Sequence, residues 1–330
     1  MAIIHDTKTD PNKILPMTYL WARTYYKNGV ANNWTPEEIS MQRDVEQWKT
    51  SGVISDKERE LVILNLGFFS TAESLTANNI VLAVYKHVTN PECRQYLLRQ
   101  AFEEAIHTDT FIYCCDTLGL DSDYIYTMYQ NVDIIKKKDD FVIGLTKSIM
   151  DKNFEIVDAK TTQMFIRDLI GFYVIMEGIF FYAGFAMMLS LKRHKKMVGI
   201  GEQFEYIMRD ESLHLAFGCD LINTIIKETP EIWTEVFQDE IVNLIKHAVD
   251  LETEYAVQAC PDGLLGITGR QFCEYVQYIA DRRLVRLGLD RIYNNENPFL
   301  WMSEAADLSK EKNFFETRVT EYQTGGSLEW

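Results

Sequence analysis

The chain has 330 residues, 47% of them hydrophobic, enough for a large core in one or two domains. Its formal net charge of −16 argues against nonspecific binding to nucleic acid and against anionic membrane surfaces. The cysteines Cys93, Cys114, Cys115, Cys219, Cys260 and Cys273 are scattered with no Cys-x-x-Cys spacing, the usage of a cytoplasmic protein with reduced thiols.

In chain order the sequence reads as helix after helix. The segment Met1 to Lys8 has no apolar core long enough for a signal peptide. Met17 to Asn28 predicts a short aromatic helix. Thr35-Pro36 reads as an N-cap followed by proline at the first helical position, with a helix over Glu37 to Lys49. Ser55-Asp56 opens a very long helix to about Val88, stopped by Thr89-Asn90-Pro91. Pro91 starts the next helix, which ends near Gly119. Asp121 to Lys138 predicts another, and residues 139 to 160 carry no clear pattern.

Thr161 to Arg193 predicts an apolar helix. Its stretch Gly171 to Leu191 imitates a membrane span, but the amphipathic helices around it favour a buried central helix and no membrane. Gly199-Ile200-Gly201 reads as a break before a helix ending near Thr229-Pro230. Helices over Glu231 to Cys260 and Thr268 to Gly288 follow. No alternating β-branched run predicts a major sheet. From Asn295 onward the helical stripe is lost, so residues 1–294 are expected to form one helical domain and residues 295–330 a largely disordered arm.

Two signatures stand out, Glu104-Ala-Ile-His107 and Glu211-Ser-Leu-His214. Residues i and i+3 share a helix face, so each carboxylate and imidazole can reach one point. A lone glutamate, Glu73, stands 31 residues before Glu104, and another, Glu177, stands 34 residues before Glu211. Two Glu-x-x-His helices plus two helices giving one glutamate each form the ligand set of a dimetal-carboxylate bundle. Either histidine alone would more commonly be a core residue. Glu177, set among Phe172, Tyr173, Val174, Ile175 and Met176, needs a strong partner, and a metal is the simplest. Four carboxylates balance two divalent ions, and oxygen plus imidazole ligands suit iron or manganese.

The segments Asn65 to Glu73, Gln100 to His107, Ile175 to Tyr182 and Arg209 to His214 resemble the radical-generating small subunit of class I ribonucleotide reductase, with the family's order and spacing. The resemblance implies an all-α, ferritin-like bundle that acts with oxygen, forms a homodimer and partners a large subunit. That large subunit reduces ribonucleotides, by resemblance the diphosphates, to deoxyribonucleotides. It implies one metal site of Glu73, Glu104 and His107 and a second of Glu177, Glu211 and His214. Glu73 stands where most members have Asp, and Phe111 where most carry the radical tyrosine. Both features resemble subclass Ic, which implies manganese at the Glu73 site, iron at the other, and a Mn(IV)/Fe(III) oxidant. A di-iron centre is the alternative cofactor, and a ligand-binding oxidase of the same fold without a large subunit the alternative function.

The resemblance also assigns roles around the centre. Phe181, Phe185 and Ile207 match the pocket lining, and Tyr113 is a candidate relay in activation. Trp34 matches the near-site tryptophan, Asp210 the carboxylate that orients His107, and Tyr322 the redox tyrosine of the tail.

Overall fold

The computed structural model describes residues 2–4, 14–76 and 81–303. Tyr322 and most of the expected arm, residues 304–330, lie outside the described residues. The described residues form helices and connecting turns, with one isolated bridge between Leu264 and Ile267.

The helices are α1 Leu20–Ala31, α2 Gln42–Lys49, α3 Asp56–Leu75, α4 Val81–His87 and α5 Pro91–Leu118. Short helices follow, α6 Ser122–Tyr126 and α7 Met128–Asn131, then α8 Asp133–Leu145 and α9 Lys147–Met150. The apolar stretch is α10 Ala159–Leu169, a π-helical segment Ile170–Phe180, and α11 Tyr182–Arg193. The last three are α12 Val198–Glu228, α13 Glu235–Ala259 and α14 Gly269–Arg286. Helix α12 packs along the π segment and α11, α1 lies on α5, and α3 packs against α5.

Local chemistry sets most of these boundaries. Ser55 and Glu58 form a capping box that opens α3, the Glu58 carboxylate accepting the Ser55 N–H at 2.9 Å. Asn90 caps α5 by accepting the Cys93 N–H at 2.9 Å, Pro91 takes the first turn, and Gly119 ends the helix at φ 67°. Ala159 to Arg193 is long and apolar enough to span a membrane, yet its most apolar stretch is wholly buried in the bundle. All six cysteines are free.

Several predicted boundaries differ. The helix expected over Glu37 to Lys49 is a 3-10 turn, Pro36–Glu38, followed by α2, because Ile39 between them is extended. The long helix expected from residue 56 to 88 is described as α3 and α4, with residues 77–80 outside the described set. The helix expected over Asp121 to Lys138 is divided at Thr127 and Val132, both β-branched and both non-helical. Residues 295–303 lie on the bundle, with Phe299 buried against Phe272 and Tyr275.

The Gly199-Ile200-Gly201 break is also corrected. These residues are the first turn of α12, and the chain reverses just before them, where Lys195 and Met197 hold φ 60° and 46°. The glycines serve close approach instead. A Cβ on Gly199 would stand 2.8 Å from the Ser40 carbonyl oxygen, and one on Gly201 2.5 Å from the Lys192 Cβ. Helix propensity favours Gly199→Ala by about 1 kcal/mol, but overpacking against backbone costs about 1–3 kcal/mol. The expected outcome is net destabilisation, read as a lower urea midpoint with an unchanged m-value.

Candidate metal centre

The six predicted ligands converge. Glu73 comes from α3, Glu104 and His107 from α5, Glu177 from the π segment, and Glu211 and His214 from α12. Each is at most 1% exposed. His107 Nδ1 lies 3.5 Å from Glu73 Oε2, 3.5 Å from Glu104 Oε2 and 3.1 Å from Glu211 Oε1. His214 Nδ1 lies 3.1 Å from Glu104 Oε1, 3.9 Å from Glu177 Oε1 and 3.4 Å from Glu211 Oε2. Glu104 and Glu211 therefore each face both histidines.

The donor set fits two metal ions. Both oxygens of Glu73 and of Glu211, Oε2 of Glu104 and of Glu177, and Nδ1 of both histidines are fully buried without a hydrogen-bond partner. Burying such atoms unpaired is strongly unfavourable, and cations at the two convergence points would satisfy all of them. Burial, reinforced by the neighbouring carboxylates, pushes Glu73 and Glu177 well above the usual carboxylate range. Burial opposes the imidazolium of both histidines, but the surrounding carboxylates outweigh it and raise them. Glu104 goes the other way: burial raises it, and the two histidines more than reverse that.

The outward nitrogen of each histidine has its own acid. Asp210 Oδ2 lies 3.4 Å from His107 Nε2 and accepts the Trp34 indole N–H at 2.7 Å. Burial raises Asp210, but Arg209, His107 and Trp34 together lower it. His214 Nε2 is 2.8 Å from Glu103 Oε2, and Glu103 is paired with Arg99 at 2.9 Å. Gln100 donates to Glu177 Oε1 at 3.2 Å while its own oxygen accepts the Tyr173 hydroxyl at 3.0 Å.

Phe111 is fully buried in a cage of rings. It stacks on Phe69 at 5.9 Å and meets Phe204 edge-on at 5.8 Å. Phe181 and Phe185 pack on Phe69 at 4.8 and 5.3 Å. Ile207 is fully buried. Tyr113 lies on another face of α5, partly exposed, and donates to the Ile39 carbonyl at 3.3 Å rather than to a ligand. The Trp34 ring is 6.4 Å from His107 and 5.2 Å from Tyr206.

No local pattern in the sequence marks Glu103, Gln100, Tyr173, Phe69, Phe204 or Tyr206 as part of this environment. The one signal for Glu103 is Arg99 four residues earlier, a spacing that pairs opposite charges on a helix.

Residues 11–298 match the model of the family "Ribonucleotide reductase, small chain". The protein belongs to that family. It is 56% identical over 328 residues to the ribonucleoside-diphosphate reductase subunit beta of Chlamydia pneumoniae, covering 99% of its own length and 94% of the relative's. It is 31% identical over 326 residues to the ribonucleoside-diphosphate reductase subunit M2 of Danio rerio, covering 97% and 78% in the same order. The ribonucleotide reductase R2 subunit of Clostridium botulinum superposes with a TM-score of 0.83 at 27% identity, covering 93% of this protein and 94% of that one. The protein is thus a ribonucleoside-diphosphate reductase small subunit with a ferritin-like fold and a buried Glu/His cluster that could hold metal ions.

Two outcomes are expected. Glu73, Glu177, His107 and His214 are all raised, the two carboxylates chiefly by burial and the two histidines by the carboxylates around them. The stability they contribute is therefore present at acidic pH and lost as pH rises through those values. Metal removal should lower the melting temperature most on the alkaline side, and metal loading should stabilise by about 4 kcal/mol for each ion at 1,000 times its Kd. Calorimetry of stripped and loaded protein from pH 6 to 9 checks this. Glu103→Ala leaves His214 without its outer partner and should weaken metal binding about 10–100-fold, measured by titration of the stripped protein.

Proposed function

We propose that this subunit makes a one-electron oxidant with oxygen or a reduced form of it. It then lends the oxidant reversibly to a large subunit that reduces ribonucleoside diphosphates in the cytoplasm. Glu73, Glu104 and His107 would hold manganese, and Glu177, Glu211 and His214 iron. When bound, the pair supplies the oxidising equivalent, stored as Mn(IV)/Fe(III). The observation that carries this reading is Phe111. Its ring, four residues after His107 on α5, is fully buried with no phenolic O–H to lose, among Phe69 and Phe204, which have none either.

The remaining residues have separable tasks. Asp210 orients His107 and holds the Trp34 indole N–H, so the three form a hydrogen-bonded line leading away from the ligands. Trp34 is an oxidisable ring at the outer end of that line and is the proposed first relay. The aromatic cage excludes water from Phe111's surroundings. Tyr113 is held for activation and Tyr322 for the transfer across to the large subunit, both on the family resemblance.

Two surface features support the partners. Leu98, Phe102, Ala105 and Ile112 form an exposed, largely apolar stripe along α5, at the spacing of a helix–helix seam, with the exposed Asp109 at the intervening step. A second copy of this protein is the proposed cover. A groove of about 950 Å³ is lined by Arg209, Arg282, Arg283, Arg286 and Arg291, with no carboxylate among its described lining residues. It also includes Asn32, two residues from Trp34, and this face is proposed to meet the large subunit.

Loading the stripped protein with manganese plus iron in air, then assaying diphosphate reduction with the cognate large subunit, should give far more activity than iron alone. Equal activity with iron alone would overturn the mixed-metal reading. Trp34→Phe should retain metal uptake but lose at least about 100-fold in turnover, the scale of removing an essential transfer step. Retained turnover would remove Trp34 from the path.

A further inference from the structure

A second buried polar cluster lies away from the ligands. Lys138 of α8 is fully buried, with its Nζ 2.6 Å from Glu252 Oε2 of α13. The ammonium also sits 3.5 Å from the centroid of Phe68 and 4.0 Å from that of Tyr255. Burial lowers Lys138 and lifts Glu252 to about 7, so the pair is held at a cost. Replacing such a pair by packed apolar side chains is often neutral or stabilising, so stability alone does not account for it.

What apolar side chains cannot do is hold backbone. Lys138 Nζ donates to the Phe180 carbonyl at 3.2 Å, and Glu252 Oε1 accepts the Ala183 N–H at 3.3 Å. Phe180 is the last residue of the π segment, Phe181 is the break, and α11 starts at Tyr182. The pair therefore clasps both sides of the point where the helix changes register. Glu177 lies three residues before Phe180, on the π side of that break.

We propose that Lys138 and Glu252 are positioning residues that hold the π register and thereby direct the Glu177 carboxylate toward Glu211 and His214. Loss of the register shifts the segment by one residue, which on a helix turns its side chains by about 100°. Glu177 then leaves the cluster while Glu73, Glu104 and His107, on α3 and α5, stay in place. The two metal positions are therefore affected unequally. This role rests on the two-metal reading of the six ligands.

The test is titration of stripped full-length protein with Mn(II), followed by electron paramagnetic resonance, with hydrogen exchange at residues 178–184. The wild type should bind two ions as a coupled pair. Lys138→Met should bind one ion tightly, showing an isolated Mn(II) signal, with the second weakened at least about 10-fold, the size of a lost supporting contact. Because that variant leaves Glu252 buried without its partner, the double variant Lys138→Met/Glu252→Leu is the deciding one. It should fold with a near-normal melting temperature yet still bind one ion, with faster exchange across the break. A double variant that binds two coupled ions with wild-type affinity would falsify the role. Equal weakening of both ions would also overturn it, as a general loss of packing. A wild type that takes up no manganese or iron would instead refute the underlying two-metal reading.

Discussion

Four carboxylates and two imidazoles meet in a space closed to water and almost empty of hydrogen-bond donors. Gln100 donates to Glu177 and the two imidazoles face the carboxylates, yet both oxygens of Glu73 and of Glu211 stay buried without a hydrogen-bond partner, and uncompensated buried charge is among the least favourable arrangements a protein can hold. The surrounding architecture is organised by that constraint. Helices α3, α5, α12 and the π segment each bring ligands on their inner faces, and the aromatic rings behind them keep solvent out. The raised carboxylates Glu73 and Glu177 express the same constraint in protonation: without cations the site can relieve its charge by retaining protons.

The two halves of the centre are similar in plan and different in their outer contacts. His107 leans on Asp210, which also holds an indole; His214 leans on Glu103, which is closed off by a guanidinium. One histidine is thus connected to an oxidisable ring, the other to a side chain that does not give up electrons. Under the proposed function, this asymmetry would favour the Trp34 side for electron movement through a nearly symmetric ligand set.

Much of the centre was legible in the residues because its ligands obey a local rule. Glu-x-x-His places both groups on one face whatever the rest of the fold does, and a glutamate amid apolar neighbours is conspicuous wherever it falls. The features that escaped depend on tertiary contact. Glu103 carries no mark of its role, since nothing local says that its carboxylate reaches His214 on α12. Gly199 and Gly201 looked like a break because a glycine needed for a close neighbour and a glycine needed for a turn are spelled alike. The π register is set by groups on α8 and α13, far away in sequence, so no pattern within residues 170–180 could announce it.

Glu104 and Glu211 each face both histidines, so half of the carboxylates belong to neither metal position alone. The two binding equilibria are therefore linked, and linkage of this kind is reciprocal. An ion held at one position would set the pose of two carboxylates that the other ion must accept. The affinity at either position would then depend on which ion fills the other, so a pair of metals would be selected jointly and not by the separate affinities of the two positions.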